Sequence, residues 1–575
     1  MKPSLWPIAL GCVFSWFLRT ASAAQLSGSQ APSPSTDAAP GWGPEAQAFH
    51  VLNRLGYGPR PGDIRAIEGE GVKTWINRQL DPQSISDPVA DAALARLGTL
   101  DLPCSTLVQA YREEAVLRRE RQKRLGQQAA ATTDAGPAPH PIKPPPVDPP
   151  EQLLATAFAQ FQEAKLIRAV LSNRQLNEVL VDFWFNHFNV DARKELDRAT
   201  VESYERDTIR PHVWGTFREL LGATAHSPAM LVYLDNWKSS RVLAIRRRPG
   251  GPVVARRGLN ENYGREIMEL HTLGVDGGYT QDDVIQVARC LTGWTINPAN
   301  GSFRFLRYWH DQGPKVVLGV RIPPDGGISD GEHVLDLLAS SPATARHISR
   351  ELCQRFVADN PPADLVNRVA AVFLATHGSL PAVYRCLFTS PEFLGPQYAG
   401  DKTKSPFEFV ASALRATGAK IEAIVPNPPA SDPTEAPVPA PRPASALART
   451  ALVQVFQMGQ TPYSWEPPTG FSENSSRWIT SGALVQRFNF TLAFSSGWFR
   501  DARPDYRTLL AGVRRGSIDD LVDALDRRML GSTLTPATRR VLCKQTITRA
   551  HSNMTFPNIP RLVALILGSP EFQRR

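Results

Sequence analysis

The densest group of chemically active side chains lies between Asn262 and His271. Asn262, Arg265, Glu266, Glu269 and His271 fall within ten residues. Burying so many polar groups costs free energy unless they have partners or a function. Two carboxylates three residues apart can serve as an acid and a base, or can bind a hard cation.

Helical geometry places most of these groups on one stripe. The apolar spacing predicts a helix over 259–273, with a core face made of Leu259, Tyr263, Ile267, Leu270 and Leu273. Asn262, Arg265, Glu266 and Glu269 border that face, where the wall of a cleft would lie.

His271 follows Glu266 by five residues, so it points away from the stripe. Zinc-binding helices instead place two histidines four residues apart on one face. We therefore expect His271 to be a hydrogen-bonded histidine near the helix C-terminus, where a donor or a cation is favoured. Gly274 is expected to end the helix in a left-handed conformation. Thr280 and Asp283 are expected to cap the next helix.

The Glu266 and Glu269 pair has three interpretations that the sequence leaves open. In the first, Arg265 and an arginine from another helix neutralise both glutamates in a structural ion network. In the second, the pair supplies the acid and the base of a hydrolase. In the third, the pair is half of a site for a divalent hard cation, completed by Asn262 or a distant residue. Carboxylate and amide oxygens suit Ca²⁺, Mg²⁺ or Mn²⁺ better than Zn²⁺.

His187 is the first choice as a distant partner of these carboxylates. It continues an apolar helix face that contains Leu180 and Phe183, so the pattern predicts that it points inwards. A lone histidine on such a face is often a hydrogen-bonded core residue. The flanking Asn186 and Asn189 favour a site, with His187 as a proton-transfer group and Asn186 as a binding residue. Nearby aromatic residues suit either sugar stacking or core packing.

Two further segments supply candidate binding residues. Asp235 ends a short helical pattern that begins at Pro228, and it either caps the next segment or enters the same cleft. His310 and Asp311 lie beside strand-like residues and would form a second wall. The chain has no Gly-x-Ser-x-Gly, P-loop or dinucleotide-binding fingerprint, so the motifs do not indicate those enzyme classes.

The elements that must position these residues are mostly helical. The chain has 575 residues, 42% of them hydrophobic, so a large core can form. Strand-like alternation is confined to short stretches such as 302–306 and 316–320, which could pair as a hairpin. The sequence predicts a mostly α fold, with one large multi-helix globular domain over 45–575 and a minor β-hairpin. Pro-rich stretches near 126–150 and 426–443 are predicted to be disordered insertions.

The N-terminus is typical of an export signal. Lys2 precedes an apolar run from Leu5 to Leu18, and small residues up to Ala23 form a cleavage site. Residues 1–23 are therefore predicted to be a signal peptide and 24–44 a disordered leader. Export would place the protein in the periplasm or outside the cell. No other stretch has the roughly 20 apolar residues that a membrane span needs, so no transmembrane segment is expected in the mature chain.

The net charge and the cysteines exclude few classes of protein function. The net charge is +9, but no basic stripe interleaved with aromatic residues is visible, so no nucleic acid partner is expected. An anionic envelope polymer is compatible with this charge. Cys290, Cys353 and Cys386 lie in apolar helical patterns and are predicted to be buried thiols.

Several segments together resemble the bacterial domain-of-unknown-function family 1800. They include His50 to Pro59, Phe183 to Val190, Pro228 to Asn236 and, most specifically, Asn260 to Gly274. The resemblance covers nearly all of the mature chain. It implies an exported bacterial protein, and members are often encoded beside a second exported family that is similar to sulfatases and alkaline phosphatases. It implies no settled activity.

Two functional hypotheses remain. The first is an envelope hydrolase or lyase that acts on a glycan or another polymer. Glu266, Glu269 and His187 would be catalytic, and Asn262 and Arg265 would position the substrate. The second is a non-catalytic helical scaffold or chaperone for the co-exported sulfatase/phosphatase-like partner, with closed ion networks inside.

Overall fold

Helices make up most of the described chain, which confirms the mostly α prediction. The computed structural model describes residues 42–131, 148–246, 253–421, 450–513, 517–549 and 555–575. The predicted signal peptide and most of the leader lie outside these ranges, as do most of the two Pro-rich insertions. Residues Gly43–Arg575 form one compact unit.

Within the described residues, ten α-helices precede the Asn260–Gly274 motif. They are α1 (Pro44–Arg54), α2 (Asp63–Glu70), α3 (Val72–Gln79), α4 (Pro88–Leu94), α5 (Cys104–Ala131), α6 (Pro149–Leu171), α7 (Gln175–His187), α8 (Asp197–Ser203), α9 (Phe217–His226) and α10 (Pro228–Tyr233). Helix α5 continues to Ala131, past the predicted start of the first insertion at 126. None of the described helices is long and apolar enough to cross a bilayer.

Fifteen described helices follow, the first of which carries the motif. They are α11 (Asn262–Glu269), α12 (Gln281–Cys290), α13 (Ser329–Ala339), α14 (Pro342–Phe356), α15 (Ala363–Ala375), α16 (Leu380–Phe388), α17 (Pro391–Leu394), α18 (Pro406–Ala416), α19 (Ala451–Gln457), α20 (Ser481–Ser495), α21 (Tyr506–Leu509), α22 (Ile518–Met529), α23 (Pro536–Thr546), α24 (Ile559–Leu567) and α25 (Pro570–Gln573). Short 3₁₀ turns include Asn236–Lys238 and Ser475–Trp478.

Ten short strands pair as antiparallel two-stranded sheets. They are β1 (Leu243–Arg246) with β2 (Val253–Arg257), β3 (Trp294–Ile296) with β4 (Phe303–Phe305), β5 (Lys315–Val317) with β6 (Val320–Ile322), β7 (Lys420–Ile421) with β8 (Ala502–Arg503), and β9 (Ile547–Arg549) with β10 (Thr555–Pro557). The predicted pairing of 302–306 with 316–320 is therefore wrong. Leu318 and Gly319 have φ of +48° and +78°, so β5 turns back onto β6 in a two-residue hairpin.

The core packs around α7, and α11 lies close to α12. Leu180 and Trp184 of α7 are fully buried. Gly264 allows the close approach of α11 to α12, because a Cβ at this position would lie 2.9 Å from the carbonyl oxygen of Val284. Thr280 and Asp283 form the predicted reciprocal cap at the start of α12.

Most of the cysteines that were predicted to be buried thiols have that environment. All five in the described ranges are free. Cys290 and Cys353 are buried, whereas Cys386 is only partly buried. Helix α14, which contains Cys353, packs against α13 and α15, so it lies inside the helical body and can carry side chains towards α7 and α11.

Candidate functional site

The motif helix is shorter than predicted. Helix α11 spans Asn262–Glu269, whereas the spacing predicted 259–273. Gly274 has the predicted left-handed conformation, with φ of +83°. The early end leaves the carbonyl groups of Leu270 and His271 outside the helical hydrogen-bond pattern, where other side chains can bind them.

Glu266 and Glu269 lie half-buried on the outer stripe of α11, as the helical spacing predicted. Burial raises the pKa of Glu266, the charge of Glu269 raises it further, and Arg265 lowers it. No hydrogen bond or ion pair holds the Glu266 carboxylate among the residues that the structure describes. Glu269 accepts a hydrogen bond from the Tyr279 hydroxyl at 3.4 Å. The two carboxyl groups therefore differ in environment, because Glu269 accepts a hydrogen bond whereas burial and a neighbouring charge raise the pKa of Glu266.

Arg265 does not neutralise this pair by direct contact. Its Nη2 donates to Oε1 of Gln281 at 2.9 Å and lies 3.9 Å from the carboxylate of Glu261. In the described ranges, no arginine forms an ion pair with Glu266 or Glu269. The interpretation that arginines neutralise both glutamates in a structural ion network is therefore wrong. The helix turns Arg265 towards the start of α12.

The imidazole of His187 is held between α14 and the end of α11. Its Nδ1 lies 2.7 Å from Oε2 of Glu351, and its Nε2 lies 3.2 Å from the carbonyl oxygen of His271. Oxygen atoms of other residues therefore contact both ring nitrogens of His187. The structure thus pairs His187 with Glu351, and within the described ranges no hydrogen bond or ion pair joins it to Glu266 or Glu269.

His347 makes a second contact with the same helix end. Its Nε2 lies 3.1 Å from the carbonyl oxygen of Leu270 and 3.6 Å from Oε1 of Glu351. Burial alone would raise the pKa of Glu351, but the two histidines together hold it below its usual value. We call His187, His347 and Glu351 the histidine cap. The two histidines contact the carbonyl groups at the end of α11, where a helix dipole favours positive charge, and Glu351 contacts both histidines.

His271 differs from its prediction. It is 1% exposed, and neither ring nitrogen has a hydrogen-bond partner among the described residues. Burial places its pKa well below the usual value, and His187 and His347 add to that decrease. His271 is therefore buried and neutral, and it is not the hydrogen-bonded histidine that was expected. The backbone leaves α11 early and turns the ring towards Phe188, whose ring centroid lies 5.1 Å away.

Asn186 and Asn189 hold a segment of the chain that has little regular structure. Asn186 donates to the carbonyl oxygen of Phe471 at 2.8 Å and accepts from its N–H at 2.7 Å. Asn189 donates to the carbonyl oxygens of Trp465 and Pro467. The predicted binding residue Asn186 is therefore an anchor of this segment, 464–478.

Segment 464–478 presents a row of aromatic rings. Trp465, Phe471 and Trp478 are each partly exposed. The ring centroids of Trp465 and Phe471 lie 4.7 Å apart, and those of Phe471 and Trp478 lie 6.2 Å apart. Tyr233 donates from its hydroxyl to the carbonyl oxygen of Glu466. Aromatic faces beside polar groups are suited to stacking on sugar rings.

Asp235 and Asn262 lie near the start of α11 and have local partners. Asp235 has φ of +59° and forms ion pairs with Lys194 at 2.8 Å and Lys238 at 2.9 Å. Asn262 is exposed and donates to the carbonyl oxygen of Leu234 at 3.3 Å. Asp235 is thus neutralised by lysines, while the amide of Asn262 remains accessible.

His310 and Asp311 belong to a separate buried cluster. His310 is fully buried, with Nε2 3.0 Å from Asp330 and Nδ1 2.8 Å from the carbonyl oxygen of Thr292. Lys315 pairs with the same Asp330 at 2.6 Å, and Asp311 pairs with Arg289 at 2.9 Å. His310 and Asp311, which were expected to form the second wall of a cleft, therefore belong to a set of ion pairs beside β5.

Metal binding finds little support in these side chains. Among the described residues, no group of three or more histidine, cysteine, aspartate or glutamate side chains is arranged to hold a metal ion. Glu266 and Glu269 supply two carboxylates, and the hydrogen bond that Asn262 donates through Nδ2 does not use its side-chain oxygen.

Sequence reasoning missed His347, Glu351 and the aromatic segment. His347 and Glu351 are four residues apart on α14, a spacing that puts both on one helix face. That spacing was a usable signal. Trp465 and Phe471 lie in a Pro- and Gly-rich stretch without periodicity, and only tertiary contacts bring them to Asn186.

Comparison with known families gives one match. Residues 50–574 match the family described as a protein of unknown function, DUF1800. No curated protein and no solved structure matches the chain. The matched residues include α7, α11 and α14, which carry the two glutamates and the histidine cap. The chain therefore belongs to the DUF1800 family.

Proposed function

We propose that this protein is an exported bacterial enzyme that cleaves a glycan or another polymer of the cell envelope, by hydrolysis or by elimination. The observation that carries the proposal is the pairing of Glu266 with Glu269 on the solvent-facing stripe of α11. Burial and the Glu269 charge raise the pKa of Glu266. Paired carboxyl groups with different environments are the arrangement that acid and base catalysis needs.

In this proposal Glu266 is the general acid and Glu269 is the general base. On hydrolysis, the bond between carbon and the leaving oxygen breaks, and Glu266 gives its proton to that oxygen. Water adds its hydroxyl to the carbon and gives a proton to Glu269. On elimination, Glu269 takes a proton from the substrate carbon instead. Asn262 and Arg265, at the exposed edge of α11, position the polymer.

His187 has a positioning role in this proposal, which replaces the proton-transfer role expected from the sequence. Both of its ring nitrogens face acceptors, so it has no free nitrogen to offer a substrate. It fixes the end of α11, and thereby the orientation of Glu266 and Glu269. Asn186 supports the rings of segment 464–478, on which sugar residues would stack.

The experiment that tests this proposal is polymer cleavage by the purified full chain. Peptidoglycan, acidic polysaccharides and neutral polysaccharides are incubated with the protein and assayed for new reducing ends and for new carbon–carbon double bonds. Reducing ends without double bonds indicate hydrolysis, and double bonds indicate elimination. Absence of both products on every polymer contradicts the proposal.

A second candidate function is a scaffold or chaperone for a co-exported sulfatase/phosphatase-like protein. A buried ion network favours it: Arg355 pairs with Glu408 at 2.9 Å and with Glu473 at 3.2 Å, and Arg575 pairs with Glu408 at 2.8 Å. Such networks can fix the shape of a helical body without any substrate. Co-purification of a sulfatase-like protein with both the wild type and Glu266→Gln would favour this function over catalysis.

A further inference from the structure

A cavity lined by arginines lies between α5 and the residues that lead into α8. Its volume is about 470 Å³, within the range of sites that bind small molecules or single units of a polymer. Arg118 and Arg119 line it from α5, and Arg193 and Arg198 line it from the opposite segment. Tyr111, also on α5, contributes an aromatic ring to the wall.

The guanidinium groups outnumber the carboxylates that face them. Glu114 and Glu195 are the two acidic residues in the lining. Glu114 is 4% exposed and lies beneath Arg118 and Arg198, each of which forms an ion pair with it. Glu195 is paired with Lys238, outside the lining, at 3.2 Å. The cavity therefore keeps an excess of positive charge.

Arg119 is the cation most available to a ligand. Its side chain is exposed, and it forms no hydrogen bond or ion pair with any residue in the described ranges. Arg118 is also accessible, with 61% of its side chain exposed. A guanidinium group presents planar pairs of N–H donors, a geometry that matches carboxylate and sulfate oxygens.

Helix α5 extends this positive surface beyond the cavity. It carries six basic residues between Arg112 and Arg124, of which Arg118, Arg121 and Arg124 are ion-paired with Glu114, Asp148 and Glu120. A single small anion would need only the cavity, whereas a row of cations along a helix suits a ligand with repeated negative charges. Tyr111 can stack on a sugar ring of such a ligand.

The cavity is connected to the start of α11 through Lys238. Lys238 pairs with Glu195 of the lining at 3.2 Å and with Asp235 at 2.9 Å. Asn260, just before α11, donates to the carbonyl oxygen of Asp235 at 3.4 Å.

We propose that the cavity lined by Arg118, Arg119, Arg193 and Arg198 is a binding subsite for an acidic glycan, whose carboxylate or sulfate groups pair with the guanidinium groups. Its role as a substrate subsite rests on the function proposed for Glu266 and Glu269. Binding of the acidic glycan does not depend on catalysis, so the two proposals can fail separately.

The test is equilibrium binding of fluorescently labelled oligosaccharides to the full chain at low salt. Polygalacturonate oligomers supply carboxylates, heparin oligomers supply sulfates, and dextran oligomers of the same length are neutral. We expect the two acidic glycans to bind at least about tenfold more tightly than dextran, and Arg118→Gln/Arg119→Gln to lose about tenfold in affinity for them. Arg321→Gln, an exposed arginine on β6, is the matched control and should bind as the wild type does.

Three outcomes would overturn the subsite. They are equal binding of dextran, unchanged binding by the double variant, and equally tight binding of single-stranded DNA of the same charge, which indicates general attraction of polyanions. Glu266→Gln separates the proposals, because it should bind acidic glycan normally even if no polymer is cleaved. If an acidic glycan is cleaved, the double variant should raise KM and leave kcat nearly unchanged.

Discussion

The Nδ1 atom of His187 lies 2.7 Å from the carboxylate of Glu351, which joins the last residue of α7 to the middle of α14. The other ring nitrogen faces the carbonyl oxygen of His271. One imidazole therefore connects three segments that are distant in sequence. The helix that carries Glu266 and Glu269 is held at its carbonyl end by this contact.

Replacement of Glu351 by glutamine should weaken this contact. The amide lacks the charge through which Glu351 attracts His187 and His347, an attraction that lowers the pKa of Glu351 in the folded chain. We expect the free energy of unfolding to fall by about 1–3 kcal/mol at neutral pH, as measured by urea denaturation.

Glu332→Gln is the matched control for this variant. Glu332 pairs with His226 and with Arg218, each at 2.8 Å, and its side chain is 35% exposed against 33% for Glu351. His226 is more exposed than His187, so we expect a loss of under about 1 kcal/mol. Equal losses in the two variants would contradict a special role for the histidine cap.

Gly274→Ala should disturb the histidine cap through His347. Gly274 has φ of +83°, and a Cβ at this position would lie 2.8 Å from Nδ1 of His347. Gly278 has nearly the same φ, +81°, but a Cβ there would meet nothing within 4 Å. We expect Gly278→Ala to cost about 1 kcal/mol from the backbone alone, and Gly274→Ala to cost clearly more. Similar unfolding midpoints for the two variants would refute the contact with His347.

His271 should make the folded chain sensitive to acid. Its folded pKa lies well below 6.5, and that of His50, lowered mainly by burial, is about 3. Below pH 6.5 the unfolded chain binds protons that the folded chain excludes, so the free energy of unfolding falls as the pH falls. Each histidine contributes up to about 1.4 kcal/mol per pH unit.

His271→Phe should therefore reduce that slope by about 1.4 kcal/mol per pH unit between about pH 6 and pH 4.5. At neutral pH the variant breaks no side-chain hydrogen bond, but the phenyl ring is larger than the imidazole and should cost about 1–3 kcal/mol at every pH, which leaves the slope unaffected. His333→Gln, on the exposed surface of α13, should leave the slope unchanged. An unaltered slope in His271→Phe would show that His271 does not titrate as a buried group.

Glu408→Gln should be among the most destabilising single changes. The carboxylate of Glu408 is buried between Arg355 and Arg575, and its removal leaves these two buried guanidinium groups with Glu473, at 3.2 and 3.7 Å, as their one shared carboxylate among the described residues. We expect a loss of about 3–5 kcal/mol. Glu392→Gln, which removes the partly exposed pair with Arg368, should cost under about 1 kcal/mol. Comparable thermal midpoints in the two variants would contradict the importance of the buried network.

The sequence was sufficient to predict a mostly helical fold and the polar stripe of α11. The spacing of Tyr263 and Ile267 predicted the buried face, Gly274 has the predicted left-handed conformation, and Thr280 and Asp283 predicted the start of the next helix. Local backbone chemistry determines these features, so a short window of residues contains the information.

The partners of His187 could not be predicted in the same way. Glu351 is 164 residues away in the chain, and nothing local indicates that α14 packs beside α7. The end of α11 was also misjudged, because apolar Leu270 and Leu273 continue the helical pattern while side chains from other helices bind the carbonyl groups of 270 and 271. The hairpin partners were missed because the tight turn at Leu318 and Gly319 outweighs strand alternation.

The pH dependence of cleavage should identify the proposed acid. If protonated Glu266 donates the proton, kcat/KM falls as the pH rises through its raised pKa. Glu266→Gln should remove this alkaline decrease along with most of the activity. If the residual activity of Glu266→Gln still falls at alkaline pH as the wild-type activity does, another group is the acid.

The most direct test of the account is the cleavage rate of Glu266→Gln and Glu269→Gln against Glu261→Gln. Glu261 lies at the start of the same helix and pairs with Gln281 and Arg265, so it controls for the loss of one charge. We predict that each of the first two variants stays folded and loses about 100-fold or more of the rate, while Glu261→Gln keeps nearly all of it. Equal rates in all three variants would contradict catalysis by the paired carboxylates of α11.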